Sequence, residues 1–517
     1  MTSSNTEEFD VVVVGGGPGG SSLGALVAMQ GHRVLLLEKE TFPRYQIGES
    51  LLPSTVHGIC RLLGVSDQLA AANFTVKRGG TFRWGANPEP WTFSFSFSPK
   101  IAGATSIAYQ VERSVFDKIL LDNAAEKGVE VRQRCTVTDV LEGADGRVTG
   151  VGYTDPDGVA CQVTARYVVD ASGNTSRIHK NVGGSRTYSE FFRSLALFGY
   201  FENGKRMPEP RSGNILSVAF SSGWFWYIPL SPTLTSVGAV VRREDAAKVQ
   251  GDPEKALAAL IAECPMIADY LSGATRVTEG QYGQLRVRKD YSYHNTTFWR
   301  PGMVLVGDAA CFVDPVFSSG VHLATYSALL AARSINSVLA GTVDEQSAFD
   351  EFEARYRREY GVFYEFLMSF YDTHVDENSY FWSAKKVTHS SHTELESFVQ
   401  LVAGMTASDF DLSDAESVAV RFKEASHEFA DAIDTMVGQG ESNMGPLFRS
   451  SVVKQAMRES TQVQLRAQLG DDAGQEAQMF DGGLIPTPDG LSWQRPAVAS
   501  GPDVSASRAG RGTPAAG

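Results

Sequence analysis

Three glycines and one glutamate near the start of the chain have the types and spacing of a dinucleotide-binding site. Gly15, Gly17 and Gly20 form the pattern G-x-G-x-x-G, and Glu38 follows eighteen residues after the last of them. Glycines at these positions allow a tight turn and let the backbone approach a pyrophosphate closely. A helix that starts there presents unpaired N–H groups and about half a positive charge to the phosphates. Glu38 is placed to accept a hydrogen bond from a ribose hydroxyl.

The residues around this pattern predict the elements that hold it in place. Residues 11–14 are four valines, which is typical of a strand buried on both faces of a parallel sheet. The apolar residues within 23–29 predict a helix that Gly31 can end. Residues 34–37 predict the next strand, with Glu38 at its carboxyl end. Strand, helix, strand and acid in this order predict a nucleotide-binding β-α-β unit rather than a structural glycine turn.

The sequence contains no second fingerprint for nicotinamide binding, so the one site belongs to FAD or to NAD(P). The nearest candidate, G-Q-G at residues 438–440, has Asn443 where a third glycine is required and follows a predicted helix. The pair Gly307-Asp308 follows a short apolar strand and favours FAD. An aspartate at the carboxyl end of a strand in the same sheet can hold a ribityl hydroxyl.

The composition is that of an ordinary globular protein and narrows the possible partners. The chain has 517 residues, 43% hydrophobic and 21% charged, which allows two or three domains. A net charge of −14 argues against a nucleic-acid partner. Five scattered cysteines indicate a reducing cytoplasm and neither a metal site nor a disulfide framework. The acidic N-terminus predicts no signal peptide, and no apolar run approaches the roughly 20 residues of a membrane span.

Three motifs, in this order, resemble those of glutathione-reductase-like flavoprotein monooxygenases with the para-hydroxybenzoate hydroxylase fold. They are the glycine loop of residues 15–20, D-A-S-G at residues 170–173 and G-D at residues 307–308. The resemblance covers residues 9–340 and implies FAD as the cofactor. It also implies that Arg113, in the sequence Q-V-E-R, lies on the FAD side of the sheet.

Further features resemble the flavin-dependent halogenases. A W-x-W-x-I-P signature, which lies near the flavin in that family, is formed by Trp224, Trp226, Ile228 and Pro229. Lys77 stands where these enzymes keep an essential lysine. The I-G-E-S of residues 47–50 matches a segment next to the flavin and contains Glu49. Taken singly, the tryptophans are typical of core packing and Lys77 of a solvated strand; together these features indicate a halogenase.

The resemblance implies a sequence of reactions. Reduced FAD reacts with O2 to give a flavin hydroperoxide, chloride attacks its distal oxygen, and hypochlorous acid is released. Backbone N–H groups of Ser319 and Gly320, before a predicted long helix, would hold chloride, although serines there are also ordinary helix caps. Lys77 would deliver the halogen, either as an ammonium that polarises hypochlorous acid or as a neutral amine that forms a chloramine.

One departure from the family bears on the substrate. Phe317 stands where the tryptophan-chlorinating branch has a glutamate, which would stabilise a cationic ring intermediate. Its absence implies a substrate activated by its own hydroxyl group, a tyrosine-like phenol, with a pyrrole as the alternative. The region after residue 344 resembles that of halogenases whose phenolic substrates are free or tethered to a peptidyl carrier protein. Arg355, Arg357 and Arg358 are candidates for a basic docking patch or for a solvated helix face.

The lack of a nicotinamide fingerprint implies that a separate NAD(P)H-dependent flavin reductase supplies FADH2. The sequence therefore predicts an FAD-dependent halogenase that chlorinates phenols in secondary metabolism, such as antibiotic biosynthesis. Two alternatives stay open at this point. One is an aromatic hydroxylase of the same fold, which needs no chloride, and the other is a non-catalytic flavin-binding partner.

The predicted fold class is α/β: a glutathione-reductase-like FAD-binding Rossmann domain with an inserted mixed β-sheet substrate domain and a C-terminal helical region. The expected FAD-binding segments are residues 1–76, 108–180 and 276–343, and the expected substrate-domain segments are residues 77–107 and 181–275. Helices are expected over residues 344–481. Residues 482–517 are rich in Pro, Gly, Ala and Ser and are expected to be disordered.

Overall fold

The computed structural model describes residues 7–84, 89–97, 103–189, 191–289, 292–372, 479–480 and 482–496. The strands are β1 Glu7–Val14, β2 Val34–Glu38, β3 Thr75–Lys77, β4 Gly79–Arg83, β5 Trp91–Ser94, β6 Ala108–Gln110, β7 Glu130–Gln133, β8 Thr136–Glu142, β9 Val148–Thr154, β10 Ala160–Asp170, β11 Arg186–Tyr188, β12 Ser194–Glu202, β13 Ile215–Phe220, β14 Gly223–Pro229, β15 Leu234–Arg242, β16 Thr275–Arg276, β17 Arg286–Lys289, β18 Tyr293–Asn295, β19 Trp299–Arg300, β20 Met303–Leu305, β21 Cys311–Phe312, β22 Ile485–Pro486 and β23 Trp493–Gln494. The α-helices are α1 Pro18–Ala28, α2 Cys60–Leu63, α3 Ser66–Ala71, α4 Arg113–Glu126, α5 Pro253–Ala262, α6 Pro265–Tyr270, α7 Ser319–Leu339 and α8 Glu345–Asp372.

The first sheet is the parallel sheet that the β-α-β pattern predicts. Its strand order is β19-β20-β10-β1-β2-β7, and β1 pairs in parallel with both β2 and β10. The valines of β1 are buried because the strand is central, and α1 packs against both α4 and α7. The carboxyl ends of β1, β2, β10 and β20 lie along one edge of the sheet, since these strands are parallel. The glycine loop, Glu38 and both aspartate motifs follow those four strand ends.

The second sheet is mixed and brings distant segments together. Its order is β16-β12-β15-β14-β13-β4-β5, in which β4 and β13 are parallel and the other pairs are antiparallel. All seven residues of β14 are buried. Strand β5 ends at Ser94. Phe95–Phe97 forms a 3-10 turn, which places the ring of Phe95 5.6 Å from Nζ of Lys77.

Two long helices cover the parallel sheet. α7 packs against α1 and α8. The aromatic side chains of α8 form a packing face, and its buried residues include Phe349, Phe352, Tyr356 and Phe363. Residues 373–478, for which further helices are predicted, lie outside the described residues, and the domain boundaries stay a prediction.

Residues near the C-terminus correct the prediction of a disordered tail from residue 482. Strands β22 and β23 form a small antiparallel hairpin. Its buried side chains are Leu484, Ile485, Leu491 and Trp493. The backbone N–H of Trp493 donates to Oγ of Ser337 at 2.7 Å, and its indole N–H donates to Oγ of Ser334 at 2.9 Å. These anchors are 156 and 159 residues away in sequence, so the local composition did not reveal them.

Candidate active site

The glycine loop lies at the carboxyl end of β1, directly before α1. Gly15 has a φ of +105°, and a Cβ there would lie 2.6 Å from the carbonyl oxygen of Ala171. A Cβ on Gly20 would lie 1.9 Å from the carbonyl oxygen of Gly15. Only glycine fits at either position, and the backbone is left open towards a cavity that Gly15 and Gly17 line.

Glu38 is buried at the end of β2 and holds the glycine loop. Its Oε2 accepts a hydrogen bond from the N–H of Gly16 at 2.7 Å, and its Oε1 accepts one from the N–H of Glu40 at 2.8 Å. Each carboxylate oxygen can accept a further hydrogen bond, and Glu38 lines the cavity. This geometry is compatible with the predicted contact to a ribose hydroxyl.

The aspartates of the second and third motifs have different surroundings. The carboxylate of Asp170 accepts hydrogen bonds from Oγ of Ser172 at 2.6 Å and from Oγ of Ser176 at 2.5 Å, which fixes its own turn. Asp308 lines the cavity. Desolvation by the surrounding protein raises the pKa of Asp308 to about 6, while the guanidinium group of Arg113 opposes that shift. Asp308 is therefore the aspartate available to a ligand.

Arg113, the first residue of α4, binds the backbone of the I-G-E-S segment. Its Nη1 donates to the carbonyl oxygens of Ile47 at 2.6 Å and Gly48 at 3.2 Å. Its Nε and Nη2 donate to the carboxylate of Asp117 at 2.6 and 2.9 Å. Arg113 also lines the cavity. It thus positions the segment that contains Glu49 and adds positive charge beside the cavity.

The cavity has a volume of about 1070 Å³, which is large enough for a dinucleotide. The predicted cofactor-binding residues that line it are Gly15, Gly17, Glu38, Glu49, Arg113 and Asp308. Gly20 is absent from its wall because it packs against the Gly15 carbonyl. This lining fits FAD, because it combines a glycine loop that tolerates no Cβ with Glu38 at the end of β2 and Asp308 shortly after β20.

The signature tryptophans lie on the cavity side of β14. Trp224, Trp226 and Ile228 line the cavity, as expected for alternate residues on one face of a strand. The indole N–H of Trp226 donates to Oγ of Ser236 at 3.2 Å. Pro229 is the last residue of the strand and does not line the cavity. The W-x-W-x-I spacing therefore places all three side chains on the face of β14 that lines the cavity. The two tryptophans are buried core residues and also form part of the cavity wall.

Lys77, the last residue of β3, is only 2% exposed. Its Nζ donates to the carbonyl oxygen of Leu51 at 3.0 Å and to Oγ of Ser318 at 3.3 Å. The alternative of a solvated strand lysine is therefore wrong. Ser318 also lines the cavity, so the buried amine contacts a residue of the cavity wall.

Burial lowers the pKa of Lys77 to about 7. An ammonium has three N–H donors, and the two acceptors named above use two of them. Near neutral pH the amine is present in both protonation states. Both forms of halogen delivery therefore stay compatible with the site.

The predicted halide loop leads into α7, whose first residue is Ser319. Ser318 has the left-handed φ of +63° and makes no side-chain capping hydrogen bond, so ordinary capping does not explain it. The N–H groups of the first helical turn lack intrahelical acceptors, which leaves those of Ser319 and Gly320 suited to an anion. Gly320 lines the cavity, and the buried Oγ of Ser319 has no hydrogen-bond partner within the described residues.

Phe317 is buried in an aromatic cluster that the sequence did not reveal. Its ring centroid lies 4.6 Å from that of Phe370 and 5.7 Å from that of Phe82. The ring centroid of Phe370 also lies 4.6 Å from that of Trp84. Strand β4 and helix α8, far apart in sequence, supply these rings. The aromatic content of α8 predicts a packing face, but its partners are set by tertiary structure.

Two arginines of α8 are engaged inside the protein. Nε of Arg355 donates to Glu351 at 2.6 Å, and its Nη2 donates to the carbonyl oxygen of Leu484 at 3.0 Å. Nε of Arg357 donates to Glu353 at 2.7 Å. Arg355, whose side chain is 9% exposed, is therefore not available to a basic docking patch, whereas Arg357 is 35% exposed and its part in such a patch stays a prediction.

The chain matches the family model described as tryptophan halogenase over residues 10–103 and 96–447. The chain belongs to this halogenase family. It is therefore an enzyme, a flavin-dependent halogenase that uses FAD, and its mixed α/β fold matches structures of FAD-dependent halogenases. The predictions of family, fold class and enzyme class are thereby confirmed.

Individual relatives span most of this halogenase. A tryptophan 2-halogenase from Chondromyces crocatus is 34% identical over 435 residues, covering 81% of this chain and 80% of the relative. The flavin-dependent halogenase gsfI of Penicillium aethiopicum is 34% identical over 384 residues, covering 69% and 70%. The structure of the myxobacterial chondrochloren halogenase CndH is 53% identical with a TM-score of 0.74, covering 94% of this chain and all of that one.

None of the helices within the described residues is long and apolar enough to cross a membrane. The same residues contain no group of three or more His, Cys, Asp or Glu side chains arranged to hold a metal ion.

Proposed function

We propose that this halogenase chlorinates a phenolic, tyrosine-like substrate and that Lys77 holds the oxidised halogen next to the arene. The observation that carries the proposal is the position of the Lys77 amine. It is buried and contacts Ser318, the residue that directly precedes the predicted halide-binding turn. A buried lysine amine with no acidic hydrogen-bond partner is costly, which favours a functional role over a structural one.

Each group of site residues has a separate role in the proposed reaction. The cavity residues Gly15, Glu38 and Asp308 would hold FAD, which in its reduced form would supply the O2 chemistry that oxidises halide. The N–H groups of Ser319 and Gly320 hold chloride at the positive end of α7. Trp224 and Trp226 form part of the apolar wall of the cavity. The Lys77 amine then retains hypochlorous acid by a hydrogen bond or as a chloramine until the substrate reacts.

The surroundings of Phe317 support a phenol. Phe317 contacts the rings of Phe82 and Phe370, where the tryptophan-chlorinating branch has a glutamate. An aromatic wall gives little stabilisation to a cationic ring intermediate by charge, whereas a phenol spreads that charge onto its own oxygen. The relative named tryptophan 2-halogenase makes tryptophan the competitor to test.

The partners belong to the same proposal. A separate NAD(P)H-dependent flavin reductase supplies FADH2, as is typical of flavin-dependent halogenases. The phenol is either free or tethered to a peptidyl carrier protein. Because Arg355 is bound to Glu351 of α8 and to Leu484 of the hairpin, it is not available to a carrier domain.

The test is a competition assay with purified enzyme, flavin reductase, NADH, FAD and O2. N-acetyltyrosine amide and tryptophan are supplied at equal concentration, with chloride, with bromide and without halide, and products are identified by mass. We expect chloride-dependent chlorination of the phenol. Preferential chlorination of tryptophan would contradict the substrate assignment, and chloride-independent gain of oxygen would indicate a hydroxylase.

A further inference from the structure

Glu49 is a buried acid on the wall of the cofactor cavity, where its side chain is 2% exposed. Its Oε1 accepts a hydrogen bond from the O–H of Tyr200 at 2.7 Å, and Tyr200, on β12, is completely buried. The buried Oε2 has no hydrogen-bond partner of ordinary length among the described residues. One oxygen of the carboxyl group is therefore held in place, and the other is left for a group that enters the cavity.

A second phenol fixes the orientation of Tyr200. The hydroxyl oxygens of Tyr45 and Tyr200 lie 2.8 Å apart. Because Tyr200 uses its one hydroxyl proton on Glu49, Tyr45 is the donor in this pair. Tyr45 lines the same cavity as Glu49. The two phenols and the carboxyl group thus form one connected set in which both hydroxyl donors point towards Glu49.

The groups that face Glu49 have opposing effects on its charge. Burial is the largest effect and raises the pKa of Glu49 to about 7. The hydroxyls of Tyr200 and Ser236 oppose this shift. The guanidinium group of Arg113 also opposes it, whereas the carboxylate of Glu112 adds to it. Before FAD binds, Glu49 is therefore close to balance between its two protonation states near neutral pH.

The phenols around Glu49 add no charge of their own. The ring centroid of Tyr282 lies 4.3 Å from that of Tyr200, and its O–H donates to Glu112 at 2.8 Å. Burial and the carboxylates of Glu112 and Glu49 raise the pKa of Tyr282. Burial and the Glu49 carboxylate likewise raise the pKa of Tyr45. Both phenols therefore stay protonated near neutral pH.

Bound FAD would change the surroundings of Oε2 in one direction. FAD displaces water from the cavity, and an ionised carboxylate oxygen that loses water without gaining a donor is costly. The pyrophosphate brings negative charge into the same cavity, which disfavours a second anion. The oxidised isoalloxazine ring offers mostly hydrogen-bond acceptors, to which only a protonated Oε2 can donate. Each of these effects favours the protonated form of Glu49.

We propose that Glu49 binds FAD in its protonated form, so that the binding of FAD takes up one proton from solution. Tyr200 occupies Oε1 and thereby leaves the proton on Oε2, the oxygen that is available to the cofactor. Tyr200 and Tyr45 are positioning residues for Glu49. The proposal rests on the FAD dependence of the family and not on the phenol assignment. Its tests contain neither halide nor arene, so they can fail while the proposed function holds.

The proposal predicts how the affinity for FAD depends on pH. Below the pKa of Glu49 in FAD-free protein, the proton is already in place and Glu49 adds no pH dependence. Above that pKa, binding must draw the proton from solution, so the affinity falls as the pH rises. We expect the wild-type dissociation constant for FAD to rise by about tenfold between pH 6 and pH 8. Titration of FAD-free protein with FAD, followed by flavin fluorescence, measures this change.

Two glutamate variants assign the proton to its site. Glu49→Gln keeps an N–H donor where the proton is proposed and removes the titrating group, so it should bind FAD at pH 8 at least as tightly as at pH 6. Glu40 also lines the cavity but is exposed, and Glu40→Gln should keep the wild-type dependence. Burial also moves the pKa of Lys77 and of Asp314 to about 7. The difference between wild type and Glu49→Gln is therefore the quantity that decides.

Calorimetric titration in buffers of different ionisation enthalpy counts the protons directly. At pH 8, wild type and Glu40→Gln should take up about one proton more per FAD than Glu49→Gln. Tyr200→Phe removes a donor to Oε1 and so raises the pKa of Glu49 in FAD-free protein, which should move the onset of uptake to higher pH. A purely structural Tyr200 would leave this onset in place.

Three results would overturn the proposal. The first is equal proton uptake by wild type and Glu49→Gln at pH 8. The second is an unmoved onset of uptake in Tyr200→Phe. The third is loss of FAD binding by Glu49→Gln at every pH, because a neutral donor at this position should support binding.

Discussion

Lys77 combines features that a lysine kept only for structure would not need. Its amine is buried, and its hydrogen-bond partners are the neutral Leu51 carbonyl and the Ser318 hydroxyl. Lysine side chains are almost never fully buried without a partner of opposite charge, because removing the ammonium from water is costly. The chain therefore holds this amine at the expense of stability, which is typical of functional residues.

That cost predicts a pH-dependent gain in stability for Lys77→Met. The pKa of Lys77 falls from 10.5 to about 7 on folding. At pH values between these two, folding therefore releases a proton from the Lys77 amine. The buried charge destabilises the protein fully below pH 7, and the penalty fades as the pH rises towards 10.5. Lys77→Met should raise the free energy of unfolding by about 2 kcal/mol or more at pH 6 and by less at pH 9.

Denaturant unfolding at the two pH values measures this difference. Lys118→Met, at a lysine whose side chain is 43% exposed, is the matched control and should change stability little at either pH. Equal effects of Lys77→Met at pH 6 and pH 9 would show that the Lys77 amine is not desolvated.

The positions of single residues could be predicted from the sequence where a motif fixes them locally, while their contacts with a cofactor stay a prediction. Gly15 and Glu38 lie as their spacing requires, because strand, turn and helix are consecutive in the chain. Tyr200 and Phe370 were not predicted, since β12 and α8 bring them to the site from segments that local patterns do not connect. Lys77 was identified only through the family resemblance.

Helix α7 connects the site to the rest of the fold. Ser319 and Gly320 are its first two residues, and His322 is its fourth residue. Nδ1 of His322 is hydrogen-bonded to Oγ of Ser54 at 2.9 Å, and its Nε2 to Oε1 of Glu359 in α8 at 2.7 Å. The C-terminal part of α7 binds the hairpin through Ser334 and Ser337. Movement of α8 or of the hairpin would therefore reach the halide-binding turn.

The hairpin contributes directly to stability, and Trp493→Ala tests this. Trp493 is 1% exposed, and the guanidinium carbons of Arg333 and Arg355 lie 5.0 and 5.1 Å from its ring. Truncation leaves a cavity and removes two cation–π contacts and the indole hydrogen bond to Ser334, so we expect a loss of about 3 kcal/mol or more in the free energy of unfolding. Thermal unfolding measures it, with Val159→Ala, at an exposed valine, as control. An unchanged melting temperature would contradict the packing of the hairpin.

The hairpin also shows where composition misleads. Residues 482–517 are rich in small residues and proline, and this favours disorder. A few apolar side chains, among them Leu484 and Trp493, are enough to order residues 484–494 because preformed helices α7 and α8 receive them. Local composition indicates whether a segment can fold by itself. Here the free energy that orders the hairpin comes from its contacts with α7 and α8, which are distant in sequence.

Within the described residues, the cofactor cavity is lined by residues from the parallel sheet and from the mixed sheet. The strands of these two sheets alternate along the chain. The parallel sheet was predictable from its β-α-β order. The mixed sheet was predictable as an insertion, but its strand order was not, because β4 pairs with β13 across more than a hundred residues. The cavity is lined by residues of both sheets, including Gly15 and Trp226.

The organisation of the molecule predicts dependence on a second protein. The sequence has one dinucleotide fingerprint, and the described residues that carry it line the FAD cavity. NADH alone should therefore reduce bound FAD no faster than it reduces free FAD. Adding a flavin reductase should start turnover. Rapid, stoichiometric reduction of bound FAD by NADH in the absence of a reductase would contradict this prediction, and anaerobic absorbance spectroscopy of FAD measures it.

The most direct test of the account compares wild type with Lys77→Met in the reductase-coupled assay, with Lys118→Met as control. The measured quantity is halogenated arene formed per FAD reoxidised, with FAD binding checked in each variant. We expect wild type and Lys118→Met to couple the two reactions, and Lys77→Met to reoxidise FAD normally while forming at least about a hundredfold less product. Halogenation by Lys77→Met at the wild-type rate would contradict the central claim that the buried amine delivers the halogen.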